Sequence, residues 1–228
     1  MSNLKTLEVF GEGKTDIGKV DAPGLANSGV VPILVHTLCG KPANMRVRRH
    51  SLPFLQRKRS LWQKVKFAKQ QASVNGSAAA IVVVDTEGDR KTRIAELAQG
   101  RNACLPNYPM AVGTAHPCIE TWLLADPVAI AKGLGLGKLP TVPDRPEELS
   151  APHKNRNANP KTALAAFSAT RKSELSAAEK DQIALAIKDM NLVRARCPLG
   201  FAPFADEVEQ HIKPLFVHAQ GDPHSHQL

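Results

Sequence analysis

Seven apolar residues, Ala78 to Val84, run without a break into three carboxylates at alternate positions, Asp85, Glu87 and Asp89. The run is far too short to span a membrane, and Ile81-Val82-Val83-Val84 is β-branched throughout. It reads as a strand buried on both faces, in the middle of a parallel sheet. In open α/β sheets, ligands gather beyond the carboxyl ends of the strands. The three acids sit at that end. If Asp85 to Asp89 stay extended, alternation points all three side chains the same way. Like charges held together need a proton or a cation to offset them. Hard oxygen donors of this kind suit magnesium or manganese. The competing reading is an acidic turn, with Asp89 as the N-cap of a helix over Arg90 to Ala98.

Strand–helix alternation surrounds this stretch. Leu4 to Phe10 predicts a first strand that feeds a tight turn, Gly11-Glu12-Gly13, where backbone can approach a ligand closely. Val30 to Leu38 predicts a helix and Gly40 its stop. Arg46 to Leu52 predicts a strand, and Gln56 to Gln71 a helix with Leu61, Val65 and Ala68 on one face and Trp62 beside them. Arg90 to Gln99 is a short helix ending at Gly100, and Met110 to Thr114 a further strand. Pro117 fits the first turn of the next helix, which carries Glu120 and an apolar face of Ile119, Leu123 and Leu124; Trp122 reads as packing. Gly133, Gly135 and Gly137 follow a helix rather than a strand, so they are a helix stop and not a nucleotide loop. Thr141 to Asn159 is a long polar connection. Helices are expected over Lys161 to Phe167, Ala177 to Ile187, Met190 to Arg196 and Phe204 to Phe216. The expectation is an α/β domain over residues 1–140, with a mostly parallel sheet sandwiched by helices. A helical C-terminal extension over 141–220 packs on it, and a disordered tail covers 221–228.

Charge is distributed unevenly. The chain of 228 residues carries a formal charge of +9, which favours anionic partners. Between Asp21 and Asp85 there is no Asp or Glu, while ten basic residues fall there: Lys41, Arg46, Arg48, Arg49, Arg57, Lys58, Arg59, Lys64, Lys66 and Lys69. A solvated helix face normally mixes signs, so this segment is expected to contact nucleic-acid phosphates. Cys39, Cys104, Cys118 and Cys197 form no C-x-x-C pair and no zinc pattern. Reduced thiols and a cytoplasmic protein without a membrane span are expected.

Three functional readings compete. Gly13-Lys14-Thr15 matches the end of a phosphate-binding NTPase loop, but the first glycine of that motif would fall at residue 8, which is Glu8. In the second reading, Glu12 faces Asp85 and Glu87 across parallel strand ends and a divalent ion assists phosphoryl transfer. In the third, the fold is a non-catalytic adaptor for nucleic acid or an ATPase.

Glu12-Gly13 after a strand, followed by an apolar strand ending in Asp85-Thr86-Glu87, resembles the Toprim domain of topoisomerases, bacterial primases and nucleases of the overcoming-lysogenisation-defect type. With Lys14-Thr15-Asp16, with His116-Pro117-Cys118-Ile119-Glu120-Thr121-Trp122-Leu123-Leu124-Ala125-Asp126 and with Cys197-Pro198 before Phe201 to Phe204, the chain looks closer still to small stand-alone Toprim-like proteins encoded beside an ATPase in phage-defence systems. The resemblance implies a Toprim/Rossmann-like α/β fold, a magnesium- or manganese-dependent nuclease and an ATPase partner. It gives Glu12 the role of acid/base or metal ligand and makes Asp85 and Glu87 the ion-binding pair. Asp16 becomes a second-metal ligand, with Asp89 and Glu120 as further ligands. Glu87 departs from the family, in which Asp is frequent at that position. Lys154 or Lys161 is the expected lysine for the leaving oxygen.

Overall fold

The structure is a computed structural model that describes residues 4–18, 24–52, 59–151, 154–155, 158–168 and 174–216. Its centre is a four-stranded sheet in the order β2-β1-β3-β4. The strands are β1 (Lys5–Gly11), β2 (Met45–Ser51), β3 (Ala79–Asp85) and β4 (Met110–Ala115). Every pairing is parallel. β3 lies between β1 and β4, as its unbroken apolar run requires: Ala79 to Val84 are all buried.

Before β2 come α1 (Lys14–Ile17) and α2 (Val30–Leu38); α3 (Leu61–Val74) precedes β3 and α4 (Arg90–Asn102) precedes β4. The helical remainder comprises α5 (Glu120–Leu124), α6 (Pro127–Leu134), α7 (Pro160–Ala165), α8 (Ala177–Ala186), α9 (Met190–Arg196), α10 (Phe201–His211) and α11 (Lys213–Phe216). The sheet separates two cores. Leu7, Val9, Ile81 and Val83 point into one with α2 and helices of the C-terminal part. Phe10, Val82 and Val84 point into the other with α3 and α4. The protein is thus an α/β, Rossmann-like fold with a helical C-terminal part, in three layers.

Several local readings hold to the residue. α2 ends where Gly40 adopts a positive φ of 77°, and Gly135 stops α6 in the left-handed region. Trp122 is fully buried and stacks on Phe204. Others move. Gly100 does not stop α4 but lies inside it, because the helix crosses α3 there. A Cβ on Gly100 would come within 2.5 Å of the Trp62 carbonyl oxygen. Pro117 lies ahead of α5 rather than in its first turn. The expected helix over Phe204 to Phe216 is two helices, and the first begins at Phe201. The tail 221–228 lies outside the described residues. Among the described residues, no helix is long and apolar enough to cross a membrane. All four cysteines are unpaired.

Candidate functional site

The sheet reverses its winding between β1 and β3. The chain leaves β1 to build β2 on one side, then crosses over α3 to build β3 on the other. A crevice opens at such a switch point, beyond the carboxyl ends of the strands. Register places Gly11 beside Val83 and Asp85 beside Ala115. Glu12 and Asp85 are therefore level along the strands to within about one residue step of ~3.3 Å.

Four carboxylates meet there. Asp85 accepts the Ile119 N–H at 3.1 Å. Its pKa lies well above the usual carboxylate range, first because of burial and then because Asp16, Glu120 and Glu12 are close enough to repel its charge. Lys161 opposes that rise. Glu12 is also raised, chiefly by burial; Arg93 pulls it down, Glu87 pushes it up, and the Asp85 backbone and Lys64 pull it down. Arg93 Nη1 stands 3.3 Å from Glu12 Oε1. Asp16 closes the turn after Glu12 by accepting the Gly13 N–H at 3.1 Å.

Glu120 faces the cluster from the first turn of α5 and is 2 % exposed. Lys180, fully buried on α8, donates to its Oε1 at 2.6 Å and to Glu174 at 2.9 Å. Burial draws the Lys180 pKa down, but Glu120 and Glu174 outweigh it and carry it up to about 12. Oε2 of Glu120 is buried without a hydrogen-bond partner. The two expected lysines also reach this rim. Lys161 follows Asn159, whose side chain caps α7, and lies 3.6 Å from Glu174. The Lys154 ammonium sits over Gly88, 3.1 Å from where a Cβ would be.

The alternation expected from Asp85 to Asp89 is not present. β3 ends at Asp85, and Glu87 and Gly88 take positive φ values of 49° and 98°. Thr86 Oγ1 pairs with His116 Nδ1 at 2.8 Å, and the Glu87 N–H donates to the Pro117 carbonyl. The turn after β3 is thereby pinned to the turn after β4, and Glu87 is exposed. Asp89 is the N-cap of α4, accepting from Thr92 N–H, which is the competing reading of the acidic turn.

The basic segment does not form one surface. Arg49 is 3 % exposed and gives its donors to the Leu25, Ser28 and Val47 carbonyls. Arg48 pairs with buried Glu8 at 2.8 Å, and Lys69 donates to the Arg101 carbonyl. Lys41 and Arg46 precede or begin β2, so parallel pairing puts them at the opposite end of the sheet from the carboxylates. Arg59, Lys64 and Lys66, at the start of α3, lie on the carboxylate side. Arg57 and Lys58 lie outside the described residues. Glu8 occupies the middle of β1, held by Arg48, His50, Asn75 and Ser77. A phosphate loop cannot begin on that strand interior.

The donors around the crevice are hard oxygens of the kind a divalent ion takes: four carboxylates at a switch point, one raised by burial and by the others, and an orphaned Glu120 oxygen. Among the described residues, however, no three His, Cys, Asp or Glu side chains are grouped so that they could hold a metal ion. Sequence reasoning missed Arg93 and Lys180. Lys180 left one trace, since it shares a helix face with Ile183, Ala184 and Ile187. Comparison of the chain with protein-family models, with curated proteins and with solved structures gave no match.

Proposed function

We propose that this protein is a divalent-ion-dependent nuclease of the Toprim-like kind, with the crevice between β1 and β3 as its site. One observation carries the reading. Carboxylates from the turn after β1, from α1 and from α5, the last far away in sequence, oppose the charge of Asp85 at the end of β3, where the Ile119 N–H also meets it. Like charges gathered at a crevice, with pKa values raised by burial and by one another, are a mark of functional sites.

Asp85, Glu12 and Asp16 would hold magnesium or manganese, with the free oxygen of Glu120 behind them. A bound ion of this type offsets the charge that develops on a phosphodiester and activates water. Glu12, whose pKa is raised by burial and by Glu87, holds its proton more readily than an ordinary carboxyl and is a candidate acid/base. Glu87, exposed on the left-handed turn, modulates that proton. Lys154 from the long connection and Lys161 from the first turn of α7 approach the rim and would supply positive charge to a departing oxygen. An ATPase partner and a role in phage defence follow from the family resemblance alone.

The test is cleavage of single- and double-stranded DNA and RNA in magnesium and in manganese. Glu12→Gln and Asp85→Asn should each abolish divalent-dependent cleavage while circular dichroism stays native. Full cleavage by both variants removes the reading. A second reading, a non-catalytic adaptor, is favoured by the pairing of Glu12 with Arg93 and Glu120 with Lys180, which satisfies two of the acids without an ion. It predicts no cleavage of any substrate by the wild type, with or without a partner.

A further inference from the structure

The outer face of α3 combines features that neither a solvated helix nor a core helix requires. Leu61, Val65, Ala68 and Ala72 face inward and are buried. On the opposite side, Arg59, Trp62, Gln63, Lys66, Phe67 and Gln70 line a surface hollow of about 250 Å³. Trp62 and Phe67 are only half-buried there. They are five residues apart, about 7.5 Å along the helix axis and about 140° around it. Lys66 and Gln70 lie between them. The helix has no acidic residue, and none occurs from Asp21 to Asp85.

The same helix begins at the carboxylate side of the sheet. Lys64, in its first turn, is near enough to Glu12 to lower that pKa. A ligand lying along the outer face of α3 would thus have one end at the acidic rim.

We infer that the outer face of α3 binds single-stranded nucleic acid, with bases stacked on Trp62 and Phe67 and phosphates held by Arg59 and Lys66. Aromatic faces in a basic, acid-free groove take unpaired bases of any sequence. A duplex hides those base faces, so it gains only the phosphate contacts. This names the substrate class of the proposed nuclease; it rests on that reading for its purpose, though not for its binding chemistry.

The experiment uses the full chain in EDTA, so that binding is read without cleavage. Anisotropy of a labelled fifteen-nucleotide oligothymidylate gives affinity, and tryptophan emission reports stacking. Trp122 is fully buried, so quenching on strand addition should vanish in Trp62→Phe. Trp62→Ala and Phe67→Ala should each weaken binding about tenfold or more, the scale of one lost base stack. Trp62→Phe should keep most of the affinity, and Arg59→Gln with Lys66→Gln should lower the salt dependence. Duplex of equal length should bind more weakly and leave the emission unchanged. Three outcomes overturn the inference: no binding of the single strand, affinity indifferent to both truncations, or equal quenching by duplex. If a truncation disturbs the fold by circular dichroism, Trp62→Phe and the double glutamine variant decide alone. Loss of cleavage in Asp85→Asn with binding intact tests the nuclease reading separately.

Discussion

Removing Lys180 should expose how much of the acidic site is held by one buried cation. The Lys180 side chain is 1 % exposed, its partner Glu120 2 % exposed, and Nζ and Oε1 are 2.6 Å apart. In Lys180→Met the stem is replaced at similar volume, but the Glu120 carboxylate stays buried and loses the ammonium that donates to it. Breaking a buried pair from one side costs about 3–5 kcal/mol, because a desolvated charge is left behind. For a chain of this size that is a fall in Tm of roughly 6–20 °C. Glu174, 44 % exposed, turns to water and to Lys161 and adds little. Replacing both partners, Lys180→Met with Glu120→Leu, removes charge and counter-charge together and should recover most of the loss. The pH dependence has a definite sign. Folding raises the Lys180 pKa from 10.5 to about 12, so its contribution is complete below 10.5 and fades as pH rises through 12. The displacement is worth about 2 kcal/mol, less than the truncation cost, since truncation also strands Glu120. Urea denaturation of Lys180→Met, Glu120→Leu and the double variant at neutral pH measures the cycle. A single variant within about 1 kcal/mol of wild type, or a double variant no better than the single, refutes the reasoning.

Glu8 predicts the acid limb. Burial pushes its pKa up, but His50, Asn75 and Ser77 outweigh burial and hold it at about 2, below the usual 4.5. Its contribution, about 3 kcal/mol, is present above pH 4.5 and lost as pH falls through 2; Glu8→Gln should flatten acid denaturation over that window. Asp85 predicts the opposite slope. A carboxyl raised above its ordinary 3.8 favours the folded state only while protonated, so stability declines as pH climbs above 3.8. Asp85→Asn should melt higher than wild type at neutral pH in EDTA, and magnesium should narrow the gap by stabilising wild type; a lower melting point in EDTA would contradict this. Gly100→Ala would set a Cβ 2.5 Å from the Trp62 carbonyl oxygen and 2.6 Å from Val65 Cβ. It should cost about 1–3 kcal/mol in urea denaturation despite the better helix former.

The elements that sequence marked best are those whose burial is settled within a few turns of chain. Val30 to Leu38 is a helix at the expected residues because its apolar run ends on Gly40, and Met190 to Arg196 because Asp189 caps it and Cys197 ends it. Glu12 and Asp85 could be placed together because a parallel pair puts both carboxyl ends on one edge, whatever lies between. The roles of individual charges were hidden, since they depend on partners far along the chain. Arg93 reaches Glu12 across 81 residues and Lys180 reaches Glu120 across 60. Arg49 and Lys69 look like surface cations in sequence, yet each spends its donors on backbone carbonyls inside the fold. Local backbone also decided against alternation. One left-handed residue, Glu87, is enough to turn three carboxylates that would share a side into three with separate tasks.

Those separate tasks explain why the cluster tolerates its own charge. Glu12, Asp16, Asp85 and Glu120 place four acids around the crevice; Arg93 pairs with Glu12, Lys180 pairs with Glu120, and Lys161 opposes the rise of the Asp85 pKa. Burial and the neighbouring acids outweigh Lys161 at Asp85, so the crevice favours the neutral form of that carboxyl. A proton and a divalent ion are alternative solutions to the same repulsion. On the proposed reading, an ion at Asp85 would compete with Arg93 for Glu12 and would meet Glu120 at Oε2, the oxygen that Lys180 does not hold. The pair with Arg93 would then set how strongly an ion must bind to displace a proton from Asp85. Weakening the hold of Arg93 on Glu12 would be a more direct route to changing ion affinity than adding another carboxylate at the rim.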